Sequence, residues 1–256
     1  MSEELNLERQ GTHIAIIKSE KYDKTNNNPV VSLGRGALHG FKELKLKEGE
    51  TFQIIPDITK ERFIYYVAGQ SGSGKSWWCK EMIQTYKKIY PKREVYLISA
   101  LLDDAGSLDK LKYIKRIKIN SDAFLNDKID IVELKDSLVI FDDVDSLKGY
   151  PKKQVWALMN DILTMGRHQN ISCLITYHVI TSALDTKVIL NESHGIVTFP
   201  ATMGNGTIKY LYDKYLGLDN NEIKRIKKLK SRWVCVLKTY PKVIVSQHEM
   251  FIPSLD

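Results

Sequence analysis

Apolar residues recur along this chain in short blocks. Phe63 to Ala68 (FIYYVA), Val95 to Ala100, Leu138 to Phe141 and Ile171 to Thr176 are of strand length, rich in β-branched and aromatic side chains, and do not alternate with polar residues. That is the pattern of strands buried on both faces. Between the blocks the period changes. From Lys75 to Tyr90, Cys79, Met82, Ile83, Tyr86, Ile89 and Tyr90 follow helical spacing, and Pro91 ends the run. From Lys152 to Arg167, Val155, Leu158, Met159, Ile162 and Met165 make a second helical stripe. Buried strands alternating with amphipathic helices predict an α/β fold.

The flanks read differently. Residues 1–60 lean towards β structure: His13 to Lys18 and Val30 to Leu33 predict short strands separated by the turn signal Asn26-Asn27-Asn28-Pro29, and Phe41 to Lys47 followed by Thr51 to Ile55 predicts a hairpin turning at Glu48-Gly49-Glu50. Tyr113 to Ile119 reads as an edge strand carrying Lys115, Arg116 and Lys118. Beyond a strand at Ile196 to Phe199, short helices are expected over Thr207 to Leu216 and Glu222 to Lys230, then a closing hairpin of Arg232 to Lys238 and Lys242 to Ser246. The expected division is a β-rich N-terminal element over 1–60 and a core over 61–256 that ends in a helix and hairpin extension.

Composition narrows the setting. At 256 residues the chain can bury a substantial core, and 38 Lys plus Arg against 31 Asp plus Glu favour a polyanionic partner, or a solvated basic surface. Cys79, Cys173 and Cys235 lie far apart in apolar or helical settings and read as reduced core thiols. No apolar run approaches the ~18 residues of a membrane span and the N-terminus lacks an apolar leader, so a soluble, intracellular protein without membrane insertion is expected.

Two stretches carry chemistry. The strand Phe63 to Ala68 runs straight into Gly69-Gln70-Ser71-Gly72-Ser73-Gly74-Lys75-Ser76, a full match to GxxxxGK[ST]. The glycines allow successive backbone N–H groups to curl around an anion, and a helix beginning near Gly74 adds the positive end of its dipole. Lys75 is placed to reach β- and γ-phosphates, and Ser76 to ligate Mg²⁺. The second stretch, SLVIFDDVD, delivers Asp142 and Asp143 to the carboxyl end of a buried strand, where open α/β sheets place their ligands. Downstream of a phosphate loop, this is the Walker B pattern: Asp142 for the metal, Asp143 to polarise an attacking water. Arg167 precedes the strand Ile171 to Thr176, and Tyr177 and His178 emerge at its far end. On residues alone, Arg167 either caps the preceding helix or serves the nucleotide. Lys148, Lys152 and Lys153, and the basic face Lys224, Arg225, Lys227, Lys228 and Lys230, are either contacts for a polyanion or solvated surface.

Together the phosphate loop, the Asp-Asp strand end, GRHQNISCLITYH and the closing YLGLD, SRWV and YPKVIV segments resemble the genome-packaging ATPases of large DNA viruses, the poxvirus-like group within the FtsK/HerA ATPases, over roughly residues 60–250. The resemblance implies an additional-strand P-loop NTPase, a RecA/FtsK-like central, mostly parallel sheet in which Ile171 to Thr176 is inserted between the phosphate-loop strand and the Walker B strand. It implies Arg167 as a finger reaching a neighbouring subunit's nucleotide and His178 at the position of the γ-phosphate sensor, where relatives commonly carry Gln; many relatives also have Glu in place of Asp143. The implied activity is ATP hydrolysis with Mg²⁺, coupled to sequence-independent translocation of double-stranded DNA by a homo-oligomeric ring at a capsid or portal vertex, in a virus factory of the host cytoplasm or in the virion. A nucleoside or nucleotide kinase and a non-motor ATP-binding switch remain open as alternatives.

Overall fold

In the computed structural model, which describes residues 3–101, 108–178, 180 and 186–253, the apolar blocks become strands and the periodic segments helices. The chain divides into two compact units, Met1–Lys60 with His194–Asp256, and Glu61–Ser193. The break after residue 60 coincides with the change of pattern in the sequence. A second break after Ser193 groups the C-terminal segments with the N-terminal β-rich element, a grouping absent from a simple division at residue 60.

The N-terminal segment contributes β1 (Glu4–Asn6), β2 (Thr12–Lys18), α1 (Glu20–Thr25), β3 (Val30–Gly34), β4 (Glu43–Lys45) and β5 (Thr51–Ile54). Strands β1, β3, β2 and β5 form an antiparallel sheet in that order. The short helix α1, unread in the sequence, starts where the Ser19 hydroxyl accepts the Tyr22 N–H and ends at Asn26 in the left-handed region.

The Glu61–Ser193 unit holds β6 (Ile64–Ala68), α2 (Lys75–Ile89), β7 (Glu94–Ser99), β8 (Ile114–Arg116), α3 (Asp122–Asn126), β9 (Ser137–Asp142), α4 (Gly149–Met165), β10 (Ser172–Tyr177) and α5 (Lys187–Glu192). Its strands are all parallel, in the order β6-β10-β9-β7-β8. This is the mostly parallel, helix-flanked sheet of a P-loop NTPase, with β10 inserted between the phosphate-loop strand and the Asp-Asp strand as expected. Every residue of β6, β9 and β10 is buried, which explains why these segments show no alternation of apolar and polar residues. On the edge strand β8, Lys115 pairs with Glu94 at 3.0 Å and Arg116 with Asp109 at 2.5 Å, so both charges have acidic partners close by.

Helix α4 begins three residues before the expected Lys152, with Pro151 tolerated in its first turn, where no intrahelical bond needs its missing N–H. It buries Val155, Leu158, Met159, Ile162 and Leu163, but Met165 is exposed. The expected stripe fails at that residue because the buried face continues to Gly166, where an added Cβ would lie 2.9 Å from Arg62 Nη1.

The chain then supplies β11 (Gly195–Thr198), α6 (Asn205–Tyr210) continued by the π-turn Leu211–Tyr215, α7 (Asn220–Lys228), β12 (Val234–Leu237), β13 (Val243–Ser246) and β14 (Glu249–Phe251). The expected β12–β13 hairpin forms; the expected pairing of Phe41–Lys47 with Thr51–Ile55 does not. Instead β4 pairs antiparallel with β14, and β5 with β2. Gly49 turns the chain at φ +82, but the buried Phe52 and Ile54 find their apolar neighbours on β2, and longer-range packing outweighs the local turn. Arg225 of α7 reaches Glu43 at 2.8 Å and stacks 3.6 Å from the Phe251 ring centroid, so it is already tied into its own unit. Among the described residues no helix is long and apolar enough to cross a membrane.

Candidate active site

The carboxyl ends of β6, β9 and β10 meet through their register. Tyr177 lies opposite Ala68 and Thr176 opposite Asp142, and the Gly69 N–H donates to the Tyr177 carbonyl at 3.0 Å. The loop leaving β6 and the acidic end of β9 are thereby fixed to opposite sides of one strand.

The loop has the backbone its sequence requires. Gly72 has φ +75 with open space where a Cβ would stand, and Gly74 has φ +117 at the N-cap of α2, conformations that L side chains rarely adopt. Lys75 is buried (5% exposed), and its ammonium donates to the Gly69 carbonyl at 2.8 Å while lying 3.4 Å from Asp143 Oδ1. Gln70 and Ser71 are exposed, Ser73 is buried, and Ser76 is half-buried in the first turn of α2.

Asp142 is almost fully buried (4% exposed). Its Oδ1 accepts from Thr176 Oγ1 at 2.9 Å and its Oδ2 from Ser99 Oγ at 3.1 Å. Burial and the neighbouring Asp143 charge push its pKa above the ordinary carboxylate value, against the opposing pull of those two hydroxyls and of Lys75. A buried carboxylate raised in this way fits a cation, whose charge would favour the ionised form.

Asp143 sits in the left-handed region at φ 50, which breaks β9 into the 3-10 turn Val144–Ser146. Thr176 organises this break: its hydroxyl accepts the Asp143 N–H at 2.8 Å while facing both Asp142 and Asp143, and its carbonyl also accepts that N–H, at 3.1 Å. Asp143 Oδ2 lies 3.4 Å from His178 Nε2, and His178 Nδ1 lies 3.3 Å from Asp145 Oδ1. One ligand atom each from Asp143, Asp145 and His178 falls within 4.8 Å of the others.

The structure thus gathers Lys75, Asp142, Asp143 and His178 at one end of the parallel sheet. Arg167 is not among them. It occupies the 3-10 turn Gly166–Gln169 before β10, at the opposite end of that strand, 71% exposed, with its Nε donating to Glu61 at 2.7 Å. The helix cap considered for Arg167 is made instead by Arg62, whose Nη1 and Nη2 donate to the Ile162 and Leu163 carbonyls at 2.6 and 2.8 Å. Lys148 and Lys153 are exposed and Lys152 half-buried, at the N-cap and in the first turns of α4. Sequence reasoning passed over Ser99, Thr176, Asp145 and Arg62. Thr176 had a signal in its polar hydroxyl within an apolar run, but that becomes informative only once the register sets it beside Asp142.

No family model matches the chain. It is 36% identical over 208 residues to the uncharacterized protein V3 of the Sputnik virophage, across 80% of this chain and 82% of that protein. Among solved structures it is similar to B204, the DNA-packaging ATPase of Sulfolobus turreted icosahedral virus, with a TM-score of 0.51 and 15% identity over 77% of this chain and 100% of that one. The genome-packaging NTPase B204 of Sulfolobus turreted icosahedral virus 2, in complex with ATP-gammaS, matches with a TM-score of 0.48 and 13% identity, over 73% and 97% of the two chains. The fold is therefore that of a P-loop NTPase, in common with the DNA-packaging ATPase B204, and the chain belongs to the same family as protein V3 of the Sputnik virophage.

Proposed function

We propose that this chain is an ATP-driven translocase that moves double-stranded DNA into a viral capsid, working as a homo-oligomeric ring of the FtsK/HerA type at a capsid or portal vertex. The observation that carries this reading is the placement of β10. It joins Lys75, Asp142, Asp143 and His178 into one site at its carboxyl end and leaves an exposed Arg167 at its other end.

In this reading the backbone N–H groups of Gly69 to Ser76 and the Lys75 ammonium bind the triphosphate. Ser76 and Asp142 are the residues that hold Mg²⁺, which supplies neutralisation of phosphate charge. Asp143 accepts the proton of the attacking water as that oxygen bonds to the γ-phosphorus and the bond to the bridging oxygen breaks, leaving ADP and phosphate. Lys75 already lies against Asp143, so phosphate and carboxylate share one ammonium, and charge arriving at the site bears directly on the group that orients water. Arg167 is assigned to the neighbouring subunit's nucleotide. The fold in common with a DNA-packaging ATPase and the net charge of +7 support DNA as the translocated polymer, held through its phosphates without regard to sequence.

Steady-state ATP hydrolysis with Mg²⁺, measured with and without double-stranded DNA of unrelated sequences, tests the reading. Stimulation by any duplex is expected. Phosphate transfer to an added nucleoside would replace the motor by a kinase, and ATP binding without turnover would replace it by a switch.

A further inference from the structure

Asp145 is outside the phosphate loop and the Asp-Asp pair, yet both of its carboxylate oxygens are directed at one residue. Oδ2 accepts the His178 backbone N–H at 2.9 Å, and Oδ1 lies 3.3 Å from Nδ1 of the same residue's ring. The first contact fixes the position of the main chain as it leaves β10, and the second fixes the rotation of the imidazole. With main chain and ring both held, Nε2 is aimed at Asp143 Oδ2, 3.4 Å away.

The turn that carries Asp145 is itself well braced. Asp143 in the left-handed region sends the chain back on itself, the Ser146 hydroxyl and N–H donate to the Asp143 carbonyl at 2.8 and 3.2 Å, and the Leu147 N–H donates to Val144 at 3.2 Å. The Asp145 side chain is 15% exposed and that of His178 37% exposed, so the carboxylate of the clamp is largely shielded from water while the ring is partly exposed. Asp143, meanwhile, is contacted through Oδ1 by Lys75 and through Oδ2 by His178. A side chain held from both oxygens has its water-facing direction set by those neighbours, and the neighbour on the Oδ2 side is held by Asp145.

We infer that Asp145 is a positioning residue for ATP hydrolysis: by clamping the backbone and ring of His178 it orients the imidazole against Asp143 and so sets the geometry of the group that polarises the attacking water. The role rests on the hydrolytic reading of this site. It also accounts for a shorter Asp standing where a Glu would reach further, because a carboxylate with less reach depends more on being aimed. Asp145 touches neither phosphate nor metal in this scheme and acts only through His178.

The clamp has the ring donate from Nδ1–H, so Asp145→Asn is the informative variant: it keeps the shape but leaves one acceptor oxygen for two donors, the His178 N–H and the ring N–H, and cannot serve both. The expected result is a kcat lowered roughly ten-fold or more, by analogy with the loss of partners that orient functional histidines, with KM for ATP and Tm near wild type. His178→Asn should lower kcat similarly, and Asp145→Asn added to it should cost nothing further, because the clamp has nothing left to hold. Multiplicative losses in the double variant, or a wild-type kcat in Asp145→Asn, would overturn the inference. A second measurement does not need turnover: carbon relaxation of the His178 ring, identified by its disappearance in His178→Asn, should report a rigid ring in the wild type and a mobile one in Asp145→Asn. A ring equally ordered in both would also overturn the clamp. Absence of any wild-type ATP turnover would remove the hydrolytic reading, and the ring dynamics would still decide the clamp.

Discussion

Asp142 carries a carboxylate into a place closed to water, and the consequences run in two directions. Burial raises its pKa, so its contribution to stability is fully present below the ordinary carboxylate range and is lost as pH rises through the raised value. Ionisation of this carboxyl therefore costs more in the folded state than in the unfolded chain. Asp142→Asn removes that charge while offering one oxygen and one NH₂ to the Ser99 and Thr176 hydroxyls, which can rotate to accept as well as donate. In thermal melts at neutral pH without nucleotide the variant should melt at or above the wild type. Addition of Mg²⁺ and ATP should raise Tm more in the wild type than in the variant, by the linkage between ligand and folded state. Equal stabilisation of both proteins would remove Asp142 from the metal site. Asp142 and Lys75 were legible in the sequence because their motifs fix chemistry by adjacency, a glycine loop before a lysine or an apolar run before a carboxylate. Thr176, Ser99 and Asp145 were not, because each matters only through a neighbour far away in the chain, and nothing local distinguishes them from ordinary turn or strand-end residues.

Helix α4 shows the same limit one level up. Its stripe of Val155, Leu158, Met159 and Ile162 was readable from the 3.6-residue period, whereas its C-terminal end is shaped by an arginine about a hundred residues earlier. Arg62 enters just before β6 and donates to two carbonyls of the last turn, that of Leu163 and that of Ile162, which also accepts the Gly166 N–H. Gly166 gives it room. Arg62→Met keeps an apolar stem and removes both bonds, and should destabilise the protein by about 1–3 kcal/mol, which lowers Tm by roughly 2–4 °C per kcal/mol for a chain of this size. Gly166→Ala, whose Cβ would press on Arg62 Nη1, should shift Tm in the same direction by less. Differential scanning calorimetry of the two variants and of their combination checks this, and a full second penalty for Gly166→Ala in the Arg62→Met background would contradict it. The misread hairpin has a related cause: two adjacent segments with a glycine turn between them look like partners, and only the wider sheet shows that β5 and β4 each pair better elsewhere.

At the scale of the whole molecule the sheet separates the two halves of the proposed chemistry. Asp142 and His178 mark the carboxyl ends of β9 and β10, and Arg167 lies in the turn before β10. That strand is six residues long, and at ~3.3 Å per residue it spans roughly 20 Å. An arginine so placed serves another molecule's nucleotide more readily than its own. Its contact with Glu61 is an exposed ion pair that a stronger anion can displace, since each partner is more than half exposed to solvent. Complementation between two inactive proteins follows from this geometry. Lys75→Ala lacks its own phosphate grip but keeps Arg167, and Arg167→Ala keeps the grip but has no finger to lend. Each alone should hydrolyse ATP very slowly. Mixed under conditions of subunit exchange, they should regain turnover, because some boundaries then bring an intact phosphate loop against an intact Arg167. The regained rate should follow the fraction of such mixed boundaries as the ratio of the two proteins is varied. A mixture that stays as inactive as its components, with exchange demonstrated by fluorescence transfer between labelled subunits, would place Arg167 outside the neighbour's site and leave its bond to Glu61 as its whole role.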